Sequence, residues 1–178
     1  MEYEFRGPGV QNKPQTRRER RPERPTERSS RPARDRSGSR SLVQLLAAVV
    51  GVVFLLVGIL GFIPGVTSNY DELNLIGPDS QALLLGLFEV SVVHNIVHLA
   101  FGVAGLLAAA RASSSVGFLV GGGLLYAGVF VYGVLIEQGG DLDILPVNDA
   151  DNILHLALAI GMIALGLIGA ALLKRSRT

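Results

Sequence analysis

All three histidines of this chain lie in two short, related segments that are otherwise largely apolar. His94 and His98 are four positions apart, and so are Asp151 and His155. Because side chains four apart on a helix project from one face, the two pairs could converge between two helices. Three imidazoles and a carboxylate suit zinc or a similar divalent metal, and His98 with His155 alone suit axial ligation of haem b. The segments therefore offer a candidate metal or haem site.

A second interpretation gives the same segments a structural role. Asn95 and Asn152 occupy equivalent places beside the histidines, and an amide is a poor metal ligand but a good hydrogen-bond partner. We therefore favour an interhelical polar clamp of Asn95, His98, Asn152 and His155, with each bond contributing about 0.5 to 1 kcal/mol. The remaining alternative is a proton or small-solute pathway that uses Glu89 and the histidines.

These segments belong to apolar stretches that are long enough to cross a lipid bilayer. Residues 42–63 would span roughly 33 Å as a helix, close to the thickness of a hydrocarbon core. Residues 82–110 are too long for one crossing, at about 43 Å, so we expect residues 82–88 to lie along the surface or in a protein-covered turn, with Glu89 at the interface. The predicted spans are 42–63, 90–110, 116–136 and 150–173. The fold class predicted is an all-α integral membrane four-helix bundle.

Charge is distributed very unevenly along the chain. Residues 1–41 hold twelve of the sixteen Lys and Arg residues, and the others are Arg111 and three residues of the carboxy-terminal segment 174–178. Two of the segments between the predicted spans, residues 64–89 and 137–149, contain acidic residues and no Lys or Arg. This bias of basic residues predicts that both termini are cytoplasmic and that the two acidic loops are external. The expected location is the cytoplasmic membrane, in a multi-pass arrangement.

The amino-terminal segment cannot bury a hydrophobic core of its own. Residues 1–41 are rich in arginine and proline and poor in apolar side chains, which predicts a disordered, solvated tail. Glutamates interleave with the arginines and no aromatic residues are placed for base stacking, so no specific nucleic acid partner is expected. The lipid bilayer is the predicted partner, and a homo-oligomer is left open. The chain has no cysteine, which excludes disulfides and thiolate chemistry.

The two halves of the apolar region resemble each other. Asn95-Ile-x-His-Leu-Ala100 matches Asn152-Ile-x-His-Leu-Ala157, and Gly51, Phe54 and Gly61 loosely match Gly123, Tyr126 and Gly133. Each half starts and ends on the same side, which predicts two parallel two-helix repeats about a pseudo-twofold axis along the membrane normal. We expect spans two and four to meet near that axis through small residues: Ala100 with Ala104, and Ala157 with Gly161.

Three stretches carry a resemblance to a known family: Gly58-Ile-Leu-Gly-Phe-Ile-Pro-Gly65, Glu89-Val-Ser-Val-Val-His-Asn-Ile-Val-His-Leu99 and Val147-Asn-Asp-Ala-Asp-Asn-Ile-Leu-His-Leu156. From about residue 42 to 173 the chain resembles the bacterial membrane family known as domain of unknown function 4383. The resemblance implies a four-helix integral membrane protein, frequent in actinobacteria, without an established activity and without catalytic residues. We therefore expect a structural or interaction protein that is not an enzyme and needs no cofactor.

Overall fold

Four apolar segments of the chain form α-helices in the computed structural model, which describes Met1 and residues 41–77, 80–137 and 144–175. The helices are α1 (Leu42–Leu60), α2 (Val92–Ala108), α3 (Ala112–Leu135) and α4 (Asp149–Arg175). Helices α1, α3 and α4 are long and apolar enough to cross a membrane, and α2 is a shorter apolar helix of 17 residues. The predicted fold class of an all-α membrane helix bundle is confirmed.

The helix ends lie close to the predicted span ends but differ from them in detail. Helix α1 ends at Leu60 rather than at residue 63, α2 lies within the predicted span 90–110, and α3 begins at Ala112 rather than at residue 116. Helix α4 extends past both ends of the predicted span 150–173. The tail predicted to be disordered, residues 1–41, lies outside the described residues apart from Met1 and Ser41.

The helices pack as two hairpins. Helix α1 lies along α2, and α3 lies along α4, while the main contact between the hairpins is between α1 and α3. Helices α2 and α4 do not pack along each other, which corrects the expectation that spans two and four meet at the centre. The reason is that Ala100, Ala104 and Ala157, the small residues expected there, lie on the exposed faces of these helices.

Close packing within each hairpin depends on glycine. A Cβ atom added to Gly51 of α1 would lie 2.9 Å from the carbonyl oxygen of Gly102 in α2. A Cβ atom added to Gly123 of α3 would lie 3.0 Å from the carbonyl oxygen of Ala159 in α4. Both approaches are closer than nearly all real Cβ contacts, so the backbones of the paired helices touch at these points.

The bundle has two different ends. At the turn end, α2 and α3 are joined by a short turn, and Gln44, the one polar side chain of α1, donates a 2.9 Å hydrogen bond to the carbonyl oxygen of Ala109. The loop end is the opposite end, where α1 and α3 finish and α2 and α4 begin. It carries the two longer connections.

The connection between α1 and α2 folds into a small antiparallel sheet at the loop end. Its strands are β1 (Thr67–Ser68), β2 (Leu83–Leu84) and β3 (Phe88–Glu89), in the order β1-β2-β3. Leu85 and Gly86 turn the chain between β2 and β3 with positive φ values of 56° and 71°. Ala82, Leu84 and Val90 are buried against Val57 and Leu60 of α1, whereas Leu85 and Leu87 at the turn are 61% and 58% exposed. The segment before Glu89 is therefore a strand pair that the protein covers only in part. The strands themselves were not predicted.

Candidate functional site

The three imidazoles come together between the two hairpins, in the half of the bundle nearest the loop end. The ring centroids of His94 and His98 are 4.4 Å apart, and those of His94 and His155 are 6.4 Å apart. His98 and His155 are buried, and His94 is partly buried. The predicted convergence of residues from spans two and four therefore occurs through side chains, although the helices themselves lie apart.

Two further aromatic rings close a circle with the histidines. Phe54 of α1 lies 5.5 Å from His98, Tyr126 of α3 lies 5.4 Å from His155, and Phe54 and Tyr126 stack on each other at 5.4 Å. We call these five side chains the aromatic ring cluster. Each of the four helices contributes at least one member, so the cluster forms where both hairpins meet.

Asp151 lines the α1/α4 side of the histidine cluster and has a structural role at the start of α4. Its Oδ2 atom accepts hydrogen bonds from the backbone N–H groups of Glu89 (2.9 Å) and Asn148 (3.1 Å). Asn148 in turn accepts a hydrogen bond from the N–H of Asp151 and donates one to the carbonyl oxygen of Leu87. The carboxylate thus caps α4 and ties the small sheet to the second hairpin.

The two asparagines lie against glycines of their own hairpins. Asn152 donates a 3.1 Å hydrogen bond from Nδ2 to the carbonyl oxygen of Gly133 in α3. Asn95 lies against Gly61, the residue that follows α1, so that a Cβ atom added there would overlap the amide. This arrangement differs from a clamp between α2 and α4. Since those helices do not pack together, the amides reach the neighbouring helix of the same hairpin instead.

Several buried polar atoms of the site have no hydrogen-bond partner among the described residues. They are both amide atoms of Asn95, Oδ1 of Asn152, and Nδ1 of His98 and of His155. A buried polar group that lacks a partner costs roughly 1 to 3 kcal/mol of stability. All of these atoms belong to the residues that the sequence singled out for the polar clamp.

Two cavities flank the histidines. One, between α2 and α3, has a volume of about 150 Å³, and the other, between α1 and α4, has a volume of about 120 Å³. His94, His98 and His155 line both cavities. Each volume is below the roughly 300 to 1,000 Å³ typical of pockets for drug-sized ligands and cofactors.

The predicted metal ligands are near one another without forming a chelating group. Among the described residues, no set of three or more His, Cys, Asp or Glu side chains is placed to hold a metal ion. The Asp151 carboxylate is directed at backbone N–H groups. His94, His98 and His155 interact through their rings, at separations set by aromatic packing. The geometry offers the metal and haem alternatives no specific support.

The pathway alternative requires polar groups on both sides of the cluster. Between the histidines and the turn end, the described core consists of apolar residues, among them Ala47, Leu119, Ala159 and Met162. Glu89 lies in β3 at the loop end, where its backbone bonds to Asp151. The polar groups of the site therefore all lie at one end of the bundle.

Sequence reasoning identified the histidines and asparagines but not their partners. Gly61, Gly133, Phe54 and Tyr126 were singled out only as a loose match between the two halves, and they prove to be the residues that the asparagines and histidines contact. That match was the signal that could have identified them.

Comparison with known proteins gives one match. A family model described as Domain of unknown function (DUF4383) covers residues 44–168 of the chain. No curated protein and no solved structure matches the chain.

Proposed function

Since the chain belongs to the DUF4383 family, whose description assigns no function, we propose from the geometry that it is a structural or interaction protein of the membrane and not an enzyme. The observation that carries this proposal is the contact between an asparagine and a glycine in each hairpin, Asn95 with Gly61 and Asn152 with Gly133. We call each contact an asparagine–glycine clamp. In the second hairpin the hydrogen bond of Asn152 to the Gly133 carbonyl fixes α3 against α4, and in the first hairpin Asn95 packs against Gly61 at the equivalent place.

We also infer that the two hairpins are internal repeats. The residues of α1 correspond to those of α3 at an offset of 72 positions, and those of α2 to α4 at an offset of 57. Three contacts recur at these offsets: Gly51 on the Gly102 carbonyl and Gly123 on that of Ala159, the two clamps, and the ring pairs Phe54–His98 and Tyr126–His155. Independent contacts in unrelated hairpins would not recur in the same register.

The helix caps support the same repeat. Ser91 accepts a hydrogen bond from the N–H of His94 at the start of α2, and Asn148 accepts one from the N–H of Asp151 at the start of α4. These pairs are also related by 57 positions. The stacked pair Phe54 and Tyr126 consists of equivalent residues, so the pseudo-twofold axis passes between α1 and α3.

The proposed location is the cytoplasmic membrane, with the loop end outside and both termini inside. The exposed faces of the helices support burial in lipid, since large aliphatic residues cover them, Leu56 of α1, Leu124 of α3 and Ile160 of α4 among them. Basic residues at the turn end, Arg111 and Lys174, support the orientation. The lipid bilayer is then the main partner.

A double-mutant cycle tests the clamp. The atoms nearest to a Cβ at Gly133 all belong to the Asn152 side chain, so Gly133→Ala should destabilise the protein only while that side chain is present. We expect Gly133→Ala to cost about 1 to 3 kcal/mol in the natural background and close to nothing in Asn152→Ala, a coupling typical of residues in contact. The measurement is equilibrium unfolding in detergent, and Gly128→Ala, whose Cβ meets nothing within 4 Å, is the control.

Two results would contradict the proposal. Additive effects of Gly133→Ala and Asn152→Ala would show that no clamp exists at this position. Stoichiometric metal or a Soret band in the purified protein would show that the histidines bind a metal or haem, and would replace the structural function with one of the alternatives.

A further inference from the structure

The two cavities beside the histidines are equivalent under the proposed repeat. The α2/α3 cavity is lined by Val97, Leu125, Tyr126, Val129, Leu145 and Val147. The α1/α4 cavity is lined by Leu154, Val53, Phe54, Val57, Phe88 and Val90, which are the counterparts of those residues in the same order. A packing defect has no reason to occur twice at corresponding positions. The cavities are therefore a feature of the fold, present once in each half.

The size and lining of each cavity limit what can occupy it. A cavity of about 150 Å³ with mostly aliphatic and aromatic walls is large enough for a molecule the size of benzene. Tyr126 presents a ring to one cavity and Phe54 to the other, and aromatic rings pack favourably edge to face against an aromatic ligand. Asp151 lines the α1/α4 cavity, but its Oδ2 atom already accepts hydrogen bonds from two backbone N–H groups, and the other walls are mostly apolar, which favours a neutral ligand.

The histidines add one specific polar requirement. His98 and His155 are buried, and both line each cavity. A neutral imidazole has one nitrogen that donates and one that accepts a hydrogen bond, so a hydroxyl group on a ligand can pair with it in either sense. The rim of each cavity includes half-exposed aliphatic residues, Val97 and Leu125 on one side and Val53 on the other, so entry is from the hydrocarbon phase.

We propose that each cavity binds one small neutral aromatic molecule that carries a hydroxyl group, a phenol, taken up from the surrounding membrane and hydrogen-bonded to the histidines. The proposal rests on the membrane location proposed above but does not depend on the asparagine–glycine clamps. Because all three histidines line both cavities, the two sites share their polar groups.

The test is a titration of para-fluorophenol, followed by fluorine NMR, into lipid nanodiscs with and without the protein. In empty nanodiscs, para-fluorophenol should only partition into the lipid. With the protein present, saturable binding of two para-fluorophenol molecules per chain should be added. Fluorobenzene has the same size but no hydroxyl group, and it should bind roughly threefold to tenfold more weakly because it forfeits one hydrogen bond. The absence of a saturable component, or equal binding of the two probes, would overturn the proposal.

Matched variants locate the sites. Val129→Phe fills the α2/α3 cavity and Val57→Phe fills the α1/α4 cavity, so each should reduce saturation from two molecules to one. Val131→Phe, on the exposed face of α3, is the control and should keep both sites. If the two cavity variants fold and still bind two molecules, the ligand lies elsewhere and the assignment is wrong. If they fail to fold, the comparison of the two probes on the natural protein decides the question. A failed clamp cycle would leave these results unchanged.

Discussion

Three consecutive glycines of α3 offer a direct test of the helix packing. A Cβ atom added to Gly121 meets nothing within 4 Å. A Cβ atom at Gly122 would lie 2.6 Å from Cζ of Phe101 and 2.7 Å from Cε of Met162, both of them side-chain atoms. At Gly123 it would lie 3.0 Å from the carbonyl oxygen of Ala159, which belongs to the backbone of α4. The same substitution, Gly→Ala, therefore meets open space at Gly121, two side chains at Gly122 and a fixed backbone at Gly123.

The expected free energies follow from these surroundings. Alanine is favoured over glycine in a helix interior by about 1 kcal/mol, so Gly121→Ala should leave the free energy of unfolding unchanged or raise it by up to this amount. Overpacking of a tight interface costs about 1 to 3 kcal/mol, and Gly123→Ala should incur this cost because α3 and α4 must move apart. Gly121→Ala and Gly123→Ala should thus differ by about 1 to 4 kcal/mol, with Gly122→Ala between them because it meets side chains rather than the backbone of α4.

The assay is unfolding in mixed micelles with an increasing fraction of sodium dodecyl sulfate, followed by helical circular dichroism. Gly51→Ala tests the equivalent contact in the first hairpin, because its Cβ atom would lie 2.9 Å from the carbonyl oxygen of Gly102. It should therefore destabilise the protein as much as Gly123→Ala does. If Gly121→Ala destabilises the protein as much as Gly123→Ala, either α3 does not face α4 through Gly123 or another molecule covers the Gly121 face of α3.

Two further predictions concern the membrane orientation and the cap of α4. In this cysteine-free chain, Ser68→Cys at the loop end should react with a membrane-impermeant thiol reagent on intact cells, whereas Ser113→Cys at the turn end should react only after permeabilisation; the reverse pattern would contradict the proposed orientation. Asp151→Ala should lower the free energy of unfolding by about 1 to 3 kcal/mol, because it leaves the N–H groups of Glu89 and Asn148 without their acceptor. Asp151→Asn keeps an acceptor oxygen, so in thermal unfolding it should lose much less stability than Asp151→Ala. An equal loss of stability in both variants would mean that the charge matters rather than the hydrogen bonds.

The fold class could be predicted because apolar runs of this length have few alternatives. A run such as residues 42–63 can satisfy its backbone only as a helix in lipid, so α1 follows from composition alone. The small sheet could not be predicted in the same way. Residues 82–89 continue the apolar run in the sequence. The strands form because the chain turns at Leu85 and Gly86 between β2 and β3, and because Ala82, Leu84 and Val90 are buried.

The helix arrangement was predicted incorrectly at one point, for an identifiable reason. Small residues such as Ala100 and Ala157 were expected to mark the central contact, but a small residue on a helix is equally compatible with an exposed face. The informative small residues were Gly51 and Gly123, which lie on the other helix of each hairpin and occur at equivalent places in the two halves. The match between the two halves therefore identified the helix contacts better than small side chains alone did.

The two halves also differ at one position in a way that bears on function. The first turn of α2 holds His94 where the first turn of α4 holds Asp151, and the two side chains have different partners. Asp151 binds backbone N–H groups and anchors the small sheet, whereas His94 faces the rings of His98 and His155. With aspartate at both positions, the cluster would have only two imidazoles. With histidine at both positions, the N–H of Glu89 would lose the carboxylate acceptor of Asp151. In the second half this position thus holds Asp151, which anchors the small sheet. In the first half it holds His94, the third imidazole that lines both cavities.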